Sequence, residues 1–223
     1  MAAALKLASS SAKFMFSCHG PSDSRTPASR FGSSSKATAS PASRRPASAA
    51  SIRWRCSADN GKAVVVIANH VGWWDGFWVM FLNLRVFRRR FHFMMLEEQL
   101  RKFWFFMYSG GFSVHRGSKS IIETINHARE IIEKSENLLL VFPQGRLESL
   151  YQTEIYFEKG IEKILSGKED RIHLVFVASL VDYYNEQKPS LFIYFTEVKN
   201  CAMTTVALRD RYKIFYDECR TKN

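Results

Sequence analysis

The chain has 223 residues, 46% of them hydrophobic and 14% aromatic, and a formal net charge of +11 from 32 basic and 21 acidic residues. Its glycine, proline and apolar contents exclude collagen, a coiled coil and disorder over the full length, and its length fits one sizeable domain with an appendage. Four cysteines without a Cys-x-x-Cys pair or a Cys/His cluster argue against a disulfide framework and a metal site, and the absence of an 18-residue apolar run argues against a transmembrane helix.

Residues 1–62 differ in composition from the rest of the chain. They contain 15 Ser, 13 Ala and ten basic residues against two acidic ones, so they carry +8 of the net charge and leave +3 to the other 161 residues. Too few large apolar side chains are present to offset the entropy of ordering, and we therefore expect this segment to be disordered. A Ser-rich, basic and acid-poor N-terminus is typical of an organelle transit peptide, here of the chloroplast type with a processing site near Cys56. A basic tail that binds RNA or anionic lipid is the alternative.

A globular pattern begins at Ala63, where a run of β-branched residues predicts a buried strand over 63–68. In chain order the pattern then predicts a helix over 76–87, a strand over 91–96 and a helix over 97–108 that is ended by two glycines. A helix opened by a capping box at Ser120 and a strand over 138–142 follow. The last predicted elements are a helix over 157–165, strands over 172–177 and 191–195, and a helix in the last 20 residues. Strands that alternate with helices predict a single α/β domain over 63–200, with a mostly parallel central sheet flanked by helices. A C-terminal helical extension over 201–223 follows.

Polar side chains follow the first strand directly, in the segment Asn69-His70-Val71-Gly72-Trp73-Trp74-Asp75. They would lie at the carboxyl edge of the sheet, where open α/β sheets usually bind ligands. Histidine can act as a general base near neutral pH, and a nearby carboxylate can orient it. His70 and Asp75 are therefore a candidate catalytic pair, although a His and an Asp in one loop are, on spacing alone, more often ordinary surface residues.

The segment from Asn69 to Asp75 resembles the first motif of the glycerolipid acyltransferases that are similar to bacterial 1-acylglycerol-3-phosphate acyltransferase. Further segments resemble the motifs of that family in the same order: residues 110–117 the second, 141–146 the third, 157–160 the Phe-x-x-Gly turn and 175–178 the fourth. The resemblance covers about residues 63–200. Four ordered motifs are far more specific than one.

This resemblance implies a glycerol-3-phosphate acyltransferase-like fold. It implies transfer of a fatty acyl group from acyl-CoA or acyl carrier protein to a hydroxyl of a lysophospholipid-type acceptor, 1-acylglycerol-3-phosphate first, with no cofactor and no metal. His70 would be the general base, oriented by Asp75. The residues implied to bind substrate are Asn69, Gly72, Arg116, Gly117, Pro143, Gln144, Gly145 and Arg146.

Within that set, the arginines and glycines have separate expected roles. Arg116 would hold the acceptor phosphate, because a guanidinium forms a planar bidentate fork, and Arg146 is the second candidate. Main-chain N–H groups around Gly72 and the glycine turns are candidate donors for the oxyanion. An ordinary surface arginine at a helix start is the alternative for Arg116.

Three positions depart from the pattern of the family. Gln144 stands where the family usually has Glu, which removes a negative charge from the acceptor site and leaves the acceptor open. His115 occupies a position that is often acidic, and Phe176 replaces the proline of the fourth motif. An acyltransferase for a glycolipid or carotenoid glycoside, or a non-catalytic membrane-binding homologue, is therefore the alternative function.

Aromatic residues between Trp73 and Phe93 are interspersed with Arg85 and with the arginines at 88–90. Such a mixture suits a helix at an anionic membrane interface, but periodicity cannot distinguish it from a buried core helix. The aromatic run 103–106 is likewise either the wall of an acyl-chain channel or core. We expect the protein in the plastid, either in the stroma or peripherally associated with a plastid membrane. Nucleic acid is not an expected partner, because the globular part carries only +3 and no RNA-binding signature.

Overall fold

The computed structural model describes residues 14–18, 61–114, 118–183 and 189–222. The strands of its single sheet are β1 Phe14–Cys18, β2 Ala63–Ala68, β3 Arg90–Leu96, β4 Gly111–Val114, β5 Asn137–Val141, β6 Ile172–Asp182 and β7 Ser190–Val198. The helices are α1 Asp75–Leu82, α2 Glu97–Lys102, α3 Phe105–Tyr108, α4 Ser118–Ile131, α5 Gly160–Leu165 and α6 Thr205–Thr221. A π-helical turn, Asn83–Phe87, continues α1, and a 3₁₀ turn, Glu169–Arg171, precedes β6.

The strand order across the sheet is β1-β7-β6-β2-β5-β3-β4. Strands β2 to β6 run in one direction, β7 pairs antiparallel to β6, and β1 pairs parallel to β7. The predicted α/β domain with a mostly parallel sheet is therefore confirmed. The carboxyl ends of β2, β5 and β3 lie side by side, so the loops that leave them meet at one edge.

The core consists of two layers, one on each face of the sheet. Val64 and Val66 of β2 point into a cluster with α1 and β3, whereas Val65 and Ile67 point into a cluster with α4, α5 and α6. Each residue of β2 is at most 1% exposed. A strand covered on both faces has no polar side, which explains why its sequence is a continuous apolar run instead of an alternating one.

Several elements differ from the sequence prediction in extent. Strand β4 was not predicted, because its four residues, Gly-Phe-Ser-Val, carry only a weak strand pattern. The helix expected over 97–108 is broken into α2 and α3, and α5 begins at Gly160 instead of Phe157.

The capping box expected at Ser120 is wrong. Helix α4 begins two residues earlier, so Ser120 lies within it, and its carbonyl accepts a hydrogen bond from Oγ1 of Thr124 at 2.9 Å. Ile121 and Ile122 in its first part are exposed, whereas Ala128 is fully buried. Only the later part of the helix packs on the core.

Strand β1 lies within the segment for which we expected disorder. Its five residues pair with Leu191 to Phe195 of β7 at one edge of the sheet. The remaining residues before 61, including the expected processing site near Cys56, lie outside the described residues. The transit peptide therefore stays a prediction.

The aromatic and basic residues around α1 do not form one surface. Val79 and Leu82 of α1 are fully buried against the sheet, whereas Trp73 and Trp74, just before the helix, are exposed. The arginines at 88–90 follow the other end of the helix, and Nη1 of Arg89 turns inward to the carbonyl of Ser135 at 2.7 Å. Among the described residues, no helix combines the length and the apolar character that crossing a bilayer requires.

Candidate active site

His70 and Asp75 meet where the chain leaves β2 and enters α1. Asp75 is buried at the first position of α1, and its Oδ2 lies 3.1 Å from Nδ1 of His70. The same oxygen accepts hydrogen bonds from the main-chain N–H groups of Val71 at 2.6 Å and Gly72 at 2.8 Å. A carboxylate at a helix N-terminus also interacts favourably with the helix dipole. The structure thus brings the predicted pair together and fixes the carboxylate from three sides.

The imidazole of His70 stacks on the ring of Phe142, the residue that follows β5. The two ring centroids are 4.1 Å apart and the planes differ by 14°. The His70 side chain remains 26% exposed, so a substrate can reach it. We had assigned Phe142 no role, although its place directly after a buried strand and before a glycine turn is a signal that could have indicated it.

A closed set of hydrogen bonds joins the loop after β2 to the loop after β5. The main-chain N–H of His70 donates to Oε1 of Gln144 at 2.7 Å, and Nε2 of Gln144 donates to Oε2 of Glu148 at 2.8 Å. The main-chain N–H of Glu148 donates back to the carbonyl of His70 at 2.9 Å. Gln144 is buried, as is the Glu148 side chain, and both polar atoms of the Gln144 amide have a partner within the protein. We had expected Gln144 to bind substrate, and we had missed Glu148.

Asn69 lies at the end of β2 but does not face the cavity beside His70. Its Nδ2 donates to the carbonyl of Ser179 at 2.9 Å, and its Oδ1 accepts from the N–H of Ser179 at 2.8 Å. Both polar atoms of this buried side chain are thus used to join β2 to β6. The structure gives Asn69 a structural role in place of the predicted substrate contact.

The glycine N–H groups that we expected to bind the oxyanion have partners within the protein. The N–H of Gly72 donates to Asp75, and that of Gly145 donates to the carbonyl of Phe142 at 3.2 Å. Gly145 has a φ of +66°, which favours glycine, and it closes the turn that follows Pro143. Pro143 is buried, and its carbonyl accepts the N–H of Glu158 at 2.7 Å. These residues shape the loop and are not placed as oxyanion donors.

Arg146 is the predicted basic residue that the structure places at the cavity. Its side chain is largely exposed, and its Nε donates to Oε1 of Glu148 at 3.3 Å. The guanidinium keeps four further N–H donors, which suit an anionic group. The other basic candidate, Arg116, lies outside the described residues, together with His115 and Gly117.

A cavity of about 1160 Å³ opens beside His70. Pockets for small ligands usually measure roughly 300–1,000 Å³, so this one suits a large substrate. Its wall is mainly apolar, with a smaller number of polar groups that include His70. The apolar lining includes Phe77, Met80, Phe93, Met95, Phe106 and Ile125. In the described part of the chain no three His, Cys, Asp or Glu side chains are grouped so that they could hold a metal ion.

Comparison with known proteins gives one family. A family model described as Acyltransferase matches residues 47–176, which is more than half of the chain. The match includes His70, Asp75, Gln144 and Arg146, and it extends to β6. No significant match was found among curated proteins.

Proposed function

The chain belongs to the acyltransferase family, and from this premise we propose that it moves a fatty acyl group from acyl-CoA or acyl carrier protein to a hydroxyl of a lysophospholipid-type acceptor. The observation that carries the proposal is the contact between His70 and Asp75, together with the place of His70 in the wall of a large, mainly apolar cavity. The apolar wall suits the hydrocarbon chain of a lipid, and we expect the polar head of that lipid to lie beside the imidazole of His70. 1-Acylglycerol-3-phosphate is the first acceptor to test.

The proposed reaction needs a base but no covalent intermediate with the enzyme. Asp75 holds Nδ1 of His70, which leaves Nε2 to take the proton of the acceptor hydroxyl. The hydroxyl oxygen then attacks the thioester carbonyl to form a tetrahedral intermediate. When this intermediate collapses, the carbon–sulfur bond breaks and the proton passes from His70 to the departing thiolate. The products are the ester and the free thiol, and the imidazole is neutral again.

Asp75 contributes through orientation and charge. Its carboxylate favours the tautomer with the proton on Nδ1, and it stabilises the imidazolium that forms when Nε2 takes the hydroxyl proton. Because Val71 and Gly72 hold the same carboxylate oxygen, this geometry exists before substrate binds. The stacked ring of Phe142 limits rotation of the imidazole.

An anionic acceptor also needs a fixed cation. Arg146 borders the cavity, and Glu148 holds its Nε, so the outer part of the guanidinium is oriented. We propose that Arg146 binds the acceptor phosphate, and Arg116, the first candidate from the sequence, stays a prediction. A glycolipid acceptor remains the alternative, because the amide of Gln144 stands where the family usually has a carboxylate.

Replacement of the base tests the reaction directly. His70→Ala should lower kcat for transfer from an acyl thioester to a lysophospholipid by about 10²- to 10⁴-fold, because the hydroxyl loses its general base. Release of free thiol and formation of the diacyl product are both measured. His127→Ala removes an exposed histidine of α4 and should retain activity. Full activity of His70→Ala, or no turnover by the wild type with any lipid acceptor, would overturn the proposal.

We further propose that the protein acts in a plastid. The support is the Ser-rich, basic and acid-poor composition of residues 1–62. A fluorescent protein fused behind residues 1–62 should enter chloroplasts and be processed near Cys56. Retention of the intact fusion in the cytosol would contradict this assignment.

A further inference from the structure

Six large apolar side chains are exposed in two segments that also contribute residues to the wall of the cavity. They come from the turn before α1 and from the segment around α3, and we call them the aromatic patch. Its members are Trp73, Trp74, Trp104, Phe105, Met107 and Tyr108. Trp104 is 60% exposed and Tyr108 is 83% exposed. Single exposed apolar residues are ordinary, but a grouped set of this size usually marks an interaction surface.

Ring contacts join the two parts of the patch. The ring of Trp73 lies 4.8 Å from that of Phe103, which in turn lies 6.2 Å from Phe105. On the other segment, Trp104 and Tyr108 contact each other at 5.9 Å. The turn before α1 and the segment around α3 are therefore in contact with each other.

Buried residues hold this surface in place. Leu100 of α2 and Phe106 of α3 belong to the core layer that also contains Val79 of α1. Phe106 contacts Trp73 at 5.9 Å. The exposed rings thus belong to segments whose other side chains are packed in the core, so the fold itself keeps these rings exposed.

Positive charge borders the patch on one side. Helix α2 has Glu97 and Glu98 in its first turn and Arg101 and Lys102 in its last, and the basic end adjoins the patch. Nζ of Lys102 lies 5.5 Å from the centroid of the Phe103 ring. A long basic side chain beside aromatic rings can reach lipid headgroups while its methylene stem covers apolar surface.

The patch is continuous with the cavity. Trp73 belongs to both, and Phe106, which supports the patch from below, also lines the cavity. A lipid in contact with the ring of Trp73 would therefore be in contact with the wall of the cavity that also contains His70. Tryptophan and tyrosine with nearby lysine and arginine are the residues that proteins place at membrane interfaces.

We propose that the aromatic patch docks onto a bilayer that carries anionic headgroups, and that a lipid acceptor passes from that bilayer into the cavity. The docking rests on the exposed rings and the basic end of α2. The entry of an acceptor rests in addition on the proposed function. Two other results would contradict this proposal. They are bilayer binding by residues 1–62 alone and association of two copies through the aromatic patch.

Vesicle binding of the full chain tests the docking. Flotation is measured with vesicles of phosphatidylcholine alone and of phosphatidylcholine mixed with phosphatidylglycerol. The double variant Trp104→Ser/Tyr108→Ser should bind the mixed vesicles about tenfold more weakly or worse, because binding scales with buried apolar area. The matched control is Val206→Ser/Ile214→Ser, which removes two exposed apolar residues from α6 on the other face of the sheet and should bind as the wild type does. Equal binding by the patch variant and the wild type would overturn the proposal.

A charge variant separates the contribution of the basic end of α2 to vesicle binding from that of the exposed rings. Arg101→Glu/Lys102→Glu should weaken binding to the mixed vesicles more than binding to phosphatidylcholine, and added salt should reduce that difference. If the variant binds mixed vesicles as the wild type does, the basic end of α2 is not part of the docking surface. Gel filtration is run in parallel. A wild-type dimer that the patch variant dissociates, without vesicle binding by either, would overturn the proposal in favour of self-association.

Activity measurements distinguish failure of the docking from failure of the proposed reaction. Trp104→Ser/Tyr108→Ser should retain turnover of a short-chain, monomeric lysolipid and lose most turnover of a lysolipid embedded in vesicles. Equal activity of this variant and the wild type on embedded substrate would contradict lipid entry at the patch. Patch-dependent vesicle binding without turnover of either substrate would support the docking and contradict the proposed function.

Discussion

Gln144 is the residue whose environment most changes the interpretation of the site. Its carbonyl oxygen accepts from the N–H of His70 while its amide nitrogen donates to Glu148, so the position needs an acceptor and a donor on one side chain. A glutamine meets that need and an ionised glutamate does not. The carboxylate that the family usually has at this position is absent here, but Glu148 places a buried carboxylate next to it.

Introducing the usual residue of the family should therefore damage this site. Gln144→Glu sets two carboxylates at hydrogen-bond distance in a buried place, and we expect it to lower the free energy of unfolding by roughly 2–4 kcal/mol at pH 8. The loss should be smaller near pH 5, because a proton shared between two carboxylates restores a donor. Urea unfolding at both pH values measures the effect.

An exchanged pair provides the control for that prediction. Gln144→Glu/Glu148→Gln again places one donor beside one acceptor, so it should recover most of the stability lost by the single variant. Equal losses in the single and double variants would show that the contact between these two side chains is not the cause.

At the scale of elements, the site depends on how three neighbouring strands end. β2 supplies His70, β5 supplies Phe142 and the loop with Gln144, and β6 holds the end of β2 through Asn69. The imidazole is thus placed by contacts among strands that are distant in the sequence. Loss of the contact between β2 and β6 should therefore lower the stability of the whole sheet more than it weakens substrate binding.

Asn69→Ala tests this assignment. The change leaves the N–H and the carbonyl of Ser179 buried without partners, and we expect a loss of about 2–4 kcal/mol in the free energy of unfolding. The KM for the acceptor should stay close to that of the wild type in the fraction that remains folded. Ser179→Ala is the matched control, because it keeps both main-chain groups and should change stability far less. A raised KM with unchanged stability would instead favour the substrate contact that the sequence suggested.

At the scale of the whole molecule, the sheet has one edge that the N-terminal segment covers. β1 pairs with β7, so the N–H and carbonyl groups of Leu191 to Phe195 on that side have a partner strand. The remaining six strands carry both core layers. Removal of the segment would expose the β7 edge.

A truncated protein tests this arrangement. A chain without residues 1–56 should fold and retain acyl transfer, because the site lies between 69 and 148. It should also self-associate more than the full chain, since an uncovered edge strand can pair with another copy. Circular dichroism, gel filtration and thiol release measure the three properties. Truncation that abolishes folding would show that β1 is an integral part of the domain.

The amino-acid sequence by itself determined the class of fold and the position of the candidate site. Continuous apolar runs at 63–68 and 138–142 are typical of strands covered on both faces, and polar residues that follow such strands are expected at the edge of the sheet. The pairing of His70 with Asp75 is likewise local, since only the four residues 71–74 separate them. Short-range spacing was enough for these features.

Tertiary structure alone decided what the other polar residues contact. Asn69 and Ser179 are 110 residues apart, and His70 and Gln144 are 74 apart, so no local pattern relates them. It also decided that β7 runs antiparallel to β6. The exposed rings lie in the segments around α1 and α3, and they do not form one surface with the arginines at 88–90. A local pattern reports which side chains avoid water, whereas the partner of a buried polar group and the surface left uncovered depend on how distant segments pack.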